Sequence, residues 1–215
     1  MADIIEQQVR EDDFGRYLCV QFAPPAARPA MLAVLGLALE LGRVRERTIR
    51  EPAMAAIRFA WWRDGVEAIF HGRPPPEPVL TDLAGAVAAH GLSRASFDTL
   101  LEAVQQEAEG AAPGLVAEAI GASPLLAWLE ILNVRDAESA AAVRDAGAAW
   151  MLARREAEAA AALQRIARAR TRRGRIDRRA LPALLATSVA EALVKGRSPL
   201  RLQLTLLRRA LIGRY

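Results

Sequence analysis

Apolar residues recur every three or four positions along most of this chain, and Gly- and Pro-rich breaks separate these stretches. The first strong stretch, at about residues 29–48, has Leu32, Leu35, Ala38 and Leu39 on one side. The second begins at Pro52, a residue favoured in the first turn of a helix, and continues to about His71. Its apolar positions follow a 3.6-residue period: Phe59, Trp62, Val66, Ile69 and Phe70. Both patterns predict helices with one buried side.

The rest of the chain repeats this organisation. Gly72 and the prolines at 74–76 end the second stretch, Gly91 and the N-cap candidate Ser93 form the next break, and Gly110–Pro113 forms another. Further helices are predicted at about 78–90, 94–109, 114–121, 124–132, 136–170, 179–195 and 198–213. No stretch alternates β-branched and polar residues as a strand would. The pattern predicts an all-α fold, a compact helical bundle that forms one domain over residues 1–215.

The composition predicts a globular protein and argues against several kinds of segment and site. Of 215 residues, 53% are hydrophobic and 25% charged, which is typical of a globular chain with a core. The longest apolar run, 31–41, ends before Arg43, so we predict no membrane-spanning stretch. The acidic residues 1–13 do not resemble a secretory signal. A single cysteine, Cys19, excludes an internal disulfide, and with only two histidines it argues against a zinc site. We therefore expect a cytoplasmic location.

Charge is distributed unevenly. Residues 1–143 carry 12 Arg or Lys and 20 Asp or Glu, a formal charge of −8, whereas residues 144–215 carry 17 and 5, a formal charge of +12. The basic end predicts binding to an anionic surface that weakens with added salt. The last helix has Leu200, Leu204, Leu207 and Leu211 on one side, which suits a membrane surface or packing on its own domain. The tract 165–179 lacks interleaved aromatic residues, so we predict no nucleic-acid binding.

Residues 38–74 resemble the first active-site helix and the following helix of the squalene/phytoene synthase family. The residues that carry the resemblance are Ile57–Arg58, Trp61–Trp62–Arg63, Ile69–Phe70 and Gly72–Arg73–Pro74, with Arg16–Tyr17 and Phe22–Ala23–Pro24 before them. The resemblance implies an isoprenoid-synthase type of all-α fold, here shortened around 150–180.

The family's metal-binding carboxylates are mostly missing from this chain. The enzymes carry an Asp-Asp-x-x-Asp motif on the first helix, and the matching positions here are Gly42, Arg43 and Glu46. Ionising a prenyl diphosphate requires magnesium held by oxygen ligands, and Arg43 would repel the metal. A second aspartate-rich motif is expected after Gly147–Leu152, but Arg154 and Arg155 follow instead. We expect no catalytic residues and no resident cofactor, with magnesium needed only if the chain is an enzyme after all.

Two interpretations apply to the polar and aromatic residues of this region. In the first, a remnant diphosphate pocket is lined by Glu40, Arg43, Glu46, Arg58 and Arg63, and an apolar pocket by Trp61 and Trp62. In the second, Arg43 pairs with Glu40 or Glu46, Arg63 pairs with Glu67, and Trp62 packs in the core.

The combination of Glu40, Arg43 and Glu46 with Ile57–Arg58 most resembles one branch of the family, which contains the mitochondrial complex I assembly factor and its bacterial relatives. This implies a non-catalytic role in the assembly of a protein or membrane complex, in the cytoplasm or peripheral to the inner membrane, as a homo- or hetero-oligomer. The alternatives are a prenyl-diphosphate transferase, one half of a split enzyme, or an isoprenoid or lipid binder.

Overall fold

A computed structural model describes residues 2–48 and 52–215 of the chain. Within these ranges the chain forms α-helices and short 3-10 turns, and no strand. The α-helices are α1 (Ala2–Asp12), α2 (Phe14–Val20), α3 (Arg28–Thr48), α4 (Pro52–Phe70), α5 (Pro78–His90), α6 (Arg94–Ala108), α7 (Pro113–Ile131), α8 (Ala137–Ala153), α9 (Ala159–Thr171), α10 (Leu181–Leu184), α11 (Ala186–Val194) and α12 (Pro199–Leu211). The predicted all-α fold is confirmed.

Local signals set many helix ends where the sequence predicts them. Before α5, the Glu77 carboxylate accepts a hydrogen bond of 2.8 Å from the Leu80 amide. Gly91 ends this helix in the left-handed conformation (φ 63°), which glycine adopts without a steric penalty. Before α8, Asp136 accepts a bond of 2.7 Å from the Ser139 amide. These caps satisfy backbone groups that the first and last turns leave free.

The core is built around α3, whose side chains Met31, Leu35 and Leu41 are fully buried. Helices α1, α4, α5, α6 and α7 all pack on it. The indole Nε1 of Trp128 on α7 donates a hydrogen bond of 3.0 Å to the Met31 carbonyl, so the largest fully buried side chain is also satisfied as a donor. Phe59 and Trp62 of α4 are buried as predicted.

Helices α7 and α8 approach closely because glycines face each other where they cross. A methyl group on Gly121 would lie 2.0 Å from the Gly147 carbonyl oxygen, and one on Gly147 would lie 2.4 Å from the Gly121 backbone. Only glycine allows backbones to meet at this distance. The crossing fixes the position of α8, whose C-terminal end borders the cleft described below.

Two predictions of helix boundaries in the middle of the chain are wrong. The segments at 114–121 and 124–132 form one continuous helix, α7, with Pro124 inside it. Its buried packing against α8 outweighs the local preference of Pro124 for a break. The helix predicted at 136–170 is instead divided, because α8 ends at Ala153 and a 3-10 turn at Glu156–Glu158 leads into α9. Its alanine-rich composition does not reveal this turn.

Several further segments differ from the sequence-based picture. The acidic N-terminal residues form α1, and the residues that follow form α2; no helix is predicted for either segment. The helix predicted at 179–195 is divided into a 3-10 turn at Arg178–Ala180, α10 and α11. The interpretation of residues 1–215 as one domain, shortened around 150–180, stays a prediction.

The predicted absence of a stretch long enough to span a membrane is wrong on length and composition. Pro25–Glu46 and Pro113–Ile131 both meet that criterion within the described residues. In the most apolar window of each, 56% and 67% of the residues are buried inside the fold. Burial of this kind is also typical of a core helix, so the two stretches are weak indications of membrane insertion.

Candidate functional site

A cleft of about 270 Å³ opens between α3 and the C-terminal end of α8. It is lined by Asp12, Arg16, Ala38, Leu39, Gly42, Arg43, Arg45, Glu46, Val104, Ile120, Trp150, Met151 and Arg154. The cleft therefore brings together the two segments at which the family resemblance predicts carboxylates. Arginine is the most frequent charged residue along its wall.

The carboxylate of Glu107 on α6 joins the two sides of this region. Arg45 of α3 donates a hydrogen bond of 2.7 Å to its Oε2 atom, and Arg155, just after α8, donates to its Oε1 atom. The Glu107 side chain is 6% exposed. Burial acts to raise the pKa of Glu107, but the guanidinium groups of Arg45 and Arg155 outweigh it, and the pKa lies below its ordinary value. Both oxygens are engaged, so Glu107 holds α3 and α8 together.

Arg43 is neutralised by two carboxylates. It pairs with Glu40 on its own helix and donates a bond of 2.5 Å to Asp12 of α1, while Glu40 also accepts a bond of 2.6 Å from Gln8. The predicted Arg43–Glu40 ion pair is confirmed. Partial burial acts to lower the pKa of Arg43, but the two carboxylates raise it overall. Glu46 is 68% exposed and lies 3.5 Å from Arg45, so it points largely to solvent.

The remaining polar wall of the cleft contains two buried nitrogen atoms without a hydrogen-bond partner. The guanidinium of Arg16 lies 3.5 Å from the centre of the Trp150 ring and pairs with Asp13, and Arg154 lies 4.9 Å from the same ring. Burial lowers the pKa of Arg16, and Asp13 opposes this effect. Arg16 Nη1 and Trp150 Nε1 are buried and have no hydrogen-bond partner. Sequence reasoning notes Arg16–Tyr17 for its resemblance but does not identify Arg16 as a site residue.

The predicted site arginines of α4, Arg58 and Arg63, do not line the cleft. Arg63 donates a hydrogen bond of 2.8 Å to Gln105. The predicted Arg63–Glu67 ion pair is wrong, because Glu67 instead lies 3.9 Å from Arg94. Arg58 and Arg63 thus lie outside the cleft that Arg43 lines, and their assignment to a diphosphate pocket stays a prediction.

The aromatic residues predicted to line an apolar pocket also lie outside the cleft. Trp62 is 6% exposed and packs in the core, as the second interpretation predicts. Trp61 is 45% exposed and meets Trp62 edge to face at 5.0 Å. Trp61 is therefore a surface residue on the outer side of α4.

The residues at the cleft do not fit a magnesium site. Magnesium requires oxygen ligands in near-octahedral geometry. At the positions of the first motif, Gly42 has no side chain and Arg43 is a cation, and the carboxylates nearest to them already pair with arginine. Within residues 2–48 and 52–215, no group of three or more His, Cys, Asp or Glu side chains is placed to hold a metal ion.

The sequence model of the squalene/phytoene synthase family matches residues 9–117. This range includes α2 to α6 and therefore the α3 wall of the cleft. The chain belongs to the squalene/phytoene synthase family. Two solved structures have the same fold as this chain over nearly its whole length. One is a dehydrosqualene synthase in complex with ligand, with a TM-score of 0.76 and 14% identity over 98% of this chain and 95% of that one. The other is squalene synthase HpnC from Alicyclobacillus acidocaldarius, with a TM-score of 0.71 and 14% identity over 91% of this chain and 92% of that one.

Similar sequences include a different kind of protein. Assembly factor 6 of NADH dehydrogenase (ubiquinone) complex I is 27% identical in Homo sapiens and 25% identical in Bos taurus, each over 134 residues. The match covers 60% of this chain and 40% of the human and bovine proteins, so the chain spans well under half the length of these relatives. The isoprenoid-synthase fold thus occurs here in a sequence similar to an assembly factor.

Proposed function

We propose that this protein is a non-catalytic member of its family that acts in the assembly of a protein complex at a membrane. The observation that carries the proposal is the bridge formed by Arg45, Glu107 and Arg155. It joins α3, which carries the positions of the first motif, to the chain just after α8, where the resemblance places the second motif, and its carboxylate is bound by two arginines.

Prenyl-diphosphate chemistry needs positive charge placed where the diphosphate leaves. Arginine can supply such charge without a metal, but Arg43 and Arg45 are each paired with carboxylates of this chain. A diphosphate would have to displace those carboxylates before it gained the same contacts. The cleft is therefore poorly prepared to stabilise the developing charge, and this supports a role without prenyl transfer.

Similarity to complex I assembly factor 6 supports a role through protein contact. The outer side of α4 offers a surface for it, because Met54, Ile57 and Trp61 recur at helical spacing and are 46%, 61% and 45% exposed. Exposed aromatic and aliphatic side chains of this type are frequent anchors of protein interfaces. We assign this α4 face to the protein partner.

Product analysis tests the absence of catalysis. The purified chain is incubated with farnesyl and geranylgeranyl diphosphates and magnesium, and the extract is compared with a no-enzyme control. We expect no squalene-like or phytoene-like product. Product above the control would contradict the proposal and favour the prenyl-transferase alternative.

Partner capture tests the α4 face. The tagged intact chain is cross-linked in its own organism and the captured proteins are identified. We expect subunits of a membrane complex with the wild type and with the control Leu115→Gln, a residue on α7 that is 80% exposed, but not with Ile57→Gln/Trp61→Gln. Capture of a second prenyl-synthase-like chain would instead favour a split enzyme.

A second candidate function is metal-independent binding of an anionic ligand in the cleft. The unpartnered donors Arg16 Nη1 and Trp150 Nε1 favour it, because buried donors gain most from an acceptor. Calorimetric titration with inorganic diphosphate and a chelator measures this binding. Trp150→Phe removes the indole donor and should weaken it, whereas the surface substitution Trp61→Phe should not. No heat with the wild type would exclude this candidate.

A further inference from the structure

Helix α12 has apolar residues on two nearly opposite sides. Leu202 and Leu206 are 8% and 1% exposed and face the protein. Four other leucines are exposed on the outer side, by 65%, 59%, 50% and 78% respectively: Leu200, Leu204, Leu207 and Leu211. At about 100° of rotation per residue, these four lie within about 60° of one another and about 150° from the buried pair. We call them the outer leucine stripe.

A basic pocket of about 470 Å³ lies beside α12. We call it the arginine pocket, and its charged lining residues are Arg170, Arg173, Arg197, Arg208, Arg209 and Arg214. The Glu191 carboxylate accepts hydrogen bonds from Arg170 and Arg209 at its edge. In the described part of the chain, the guanidinium groups of Arg208 and Arg214 have no hydrogen-bond or ion-pair partner.

The positive charges of the arginine pocket lie close enough together to affect the pKa of Arg173. The pKa of Arg173 is lowered, first by burial and then by the like charges of Arg170, Arg214 and Arg209, while Tyr215 acts in the opposite direction. The Nε atom of Arg173 is buried without a partner. A bound anion would relieve this repulsion and supply the missing acceptor.

We propose that α12 docks on an anionic phospholipid bilayer, with the outer leucine stripe in the interfacial region and a lipid phosphate group in the arginine pocket. This goes beyond the proposed function and does not require it, because the surface belongs to α12 and the protein-partner surface to α4.

Charge complementarity favours a bilayer as the occupant. Residues 144–215 carry 17 Arg or Lys against 5 Asp or Glu. On α12, Arg201 and Arg208 lie about 70–90° from the middle of the stripe, where long basic side chains can reach phosphate while the leucines enter the acyl boundary. The guanidinium fork matches phosphate oxygens in two-bond geometry. An anionic phospholipid bilayer therefore supplies both the apolar contact and the anionic contact.

Co-sedimentation of the purified intact chain with vesicles tests the proposal. The vesicles contain phosphatidylcholine alone or phosphatidylcholine with phosphatidylglycerol, at low and high salt. The variants are Leu204→Gln/Leu207→Gln and Arg208→Gln/Arg214→Gln. The matched controls are Leu115→Gln on α7 and Arg73→Gln after α4, both exposed residues away from α12. Circular dichroism confirms that each variant stays helical.

We expect the wild type to bind the phosphatidylglycerol vesicles and to be released by salt. The double leucine substitution should lower the partition coefficient by about tenfold or more. The double arginine substitution should lower it by about 25-fold, which is about fivefold for each charge removed. Both controls should bind as the wild type does.

Four outcomes would overturn the proposal. The first three are no binding at low salt, equal binding to both kinds of vesicle, and unchanged binding by the α12 variants. The fourth is that the α12 variants lose a captured protein partner while no form of the chain binds vesicles, which would make the surface a protein interface. Because the vesicle assay contains no partner protein, its failure is distinguishable from failure of partner capture through α4.

Discussion

At the scale of single residues, Glu107 is the carboxylate that joins α3 to the chain just after α8. In Glu107→Gln, the amide oxygen can still accept one hydrogen bond, but the amide NH2 group would face a second guanidinium, Arg45 or Arg155. We expect the free energy of unfolding to fall by about 1–3 kcal/mol, the range for an unsatisfied buried partner. Urea denaturation measures it. Glu102→Gln, on the exposed side of the same helix, is the control, and an equal loss in both variants would contradict the bridge.

A second carboxylate makes stability depend on pH. Burial acts to raise the pKa of Glu191, but hydrogen bonds from Arg170, Lys195 and Arg209 outweigh it and hold the pKa well below its ordinary value of 4.5. The ionised Glu191 carboxylate contributes its full stabilisation above about pH 4.5, and this contribution is lost as the pH falls below that value. Urea midpoints measured from neutral pH downward should show the wild type more stable than Glu191→Gln, with a difference that shrinks below pH 4.5. A constant difference would contradict this linkage, and Glu109→Gln controls for the loss of an exposed carboxylate.

At the scale of elements, the crossing of α7 and α8 is the most constrained contact of the fold. Gly121→Ala would place a methyl group 2.0 Å from the Gly147 carbonyl oxygen, so the two helices must separate. We expect thermal or urea denaturation to show a loss of about 2–3 kcal/mol, typical of overpacking. Gly85→Ala on α5 is the control, because its methyl group would meet nothing within 4 Å. It should stabilise the chain by about 0.5–1 kcal/mol. Similar effects at both positions would contradict the close crossing.

At the scale of the whole molecule, catalysis needs both walls of the cleft at once. Restoring the first motif in Gly42→Asp/Arg43→Asp should therefore not produce condensation of prenyl diphosphates with magnesium. The opposite wall would still carry Arg154, and Arg155 would still be tied to Glu107. Losing one electrostatic contact to the transition state already slows a reaction on the order of 100- to 1,000-fold. Product analysis measures the result, with the folded wild type as the control, and product from the double variant would contradict the argument.

Sequence reasoning was accurate where a signal was local. The break at Gly91, the start at Pro78 and the burial of Trp62 all follow from caps and periodicity, and they are confirmed. It was inaccurate where a distant contact decided the outcome. Pro124 stands inside a helix because of its packing against α8, and Arg63 turns to Gln105 on α6, 42 positions away, because those helices are neighbours.

The order of apolar and polar residues along the chain was sufficient to predict an all-α protein. The residue types at particular positions carry the resemblance to a known family and reveal that its metal-binding carboxylates are missing here. These properties depend on residue type and short spacing alone. Only the tertiary structure decided which charges meet. The bridge through Glu107 joins residues 62 and 48 positions apart, and the arginine pocket gathers side chains from α9 and from the chain around α12. Pairing over such distances depends on how helices cross, and a helical period measured along the sequence does not contain that information.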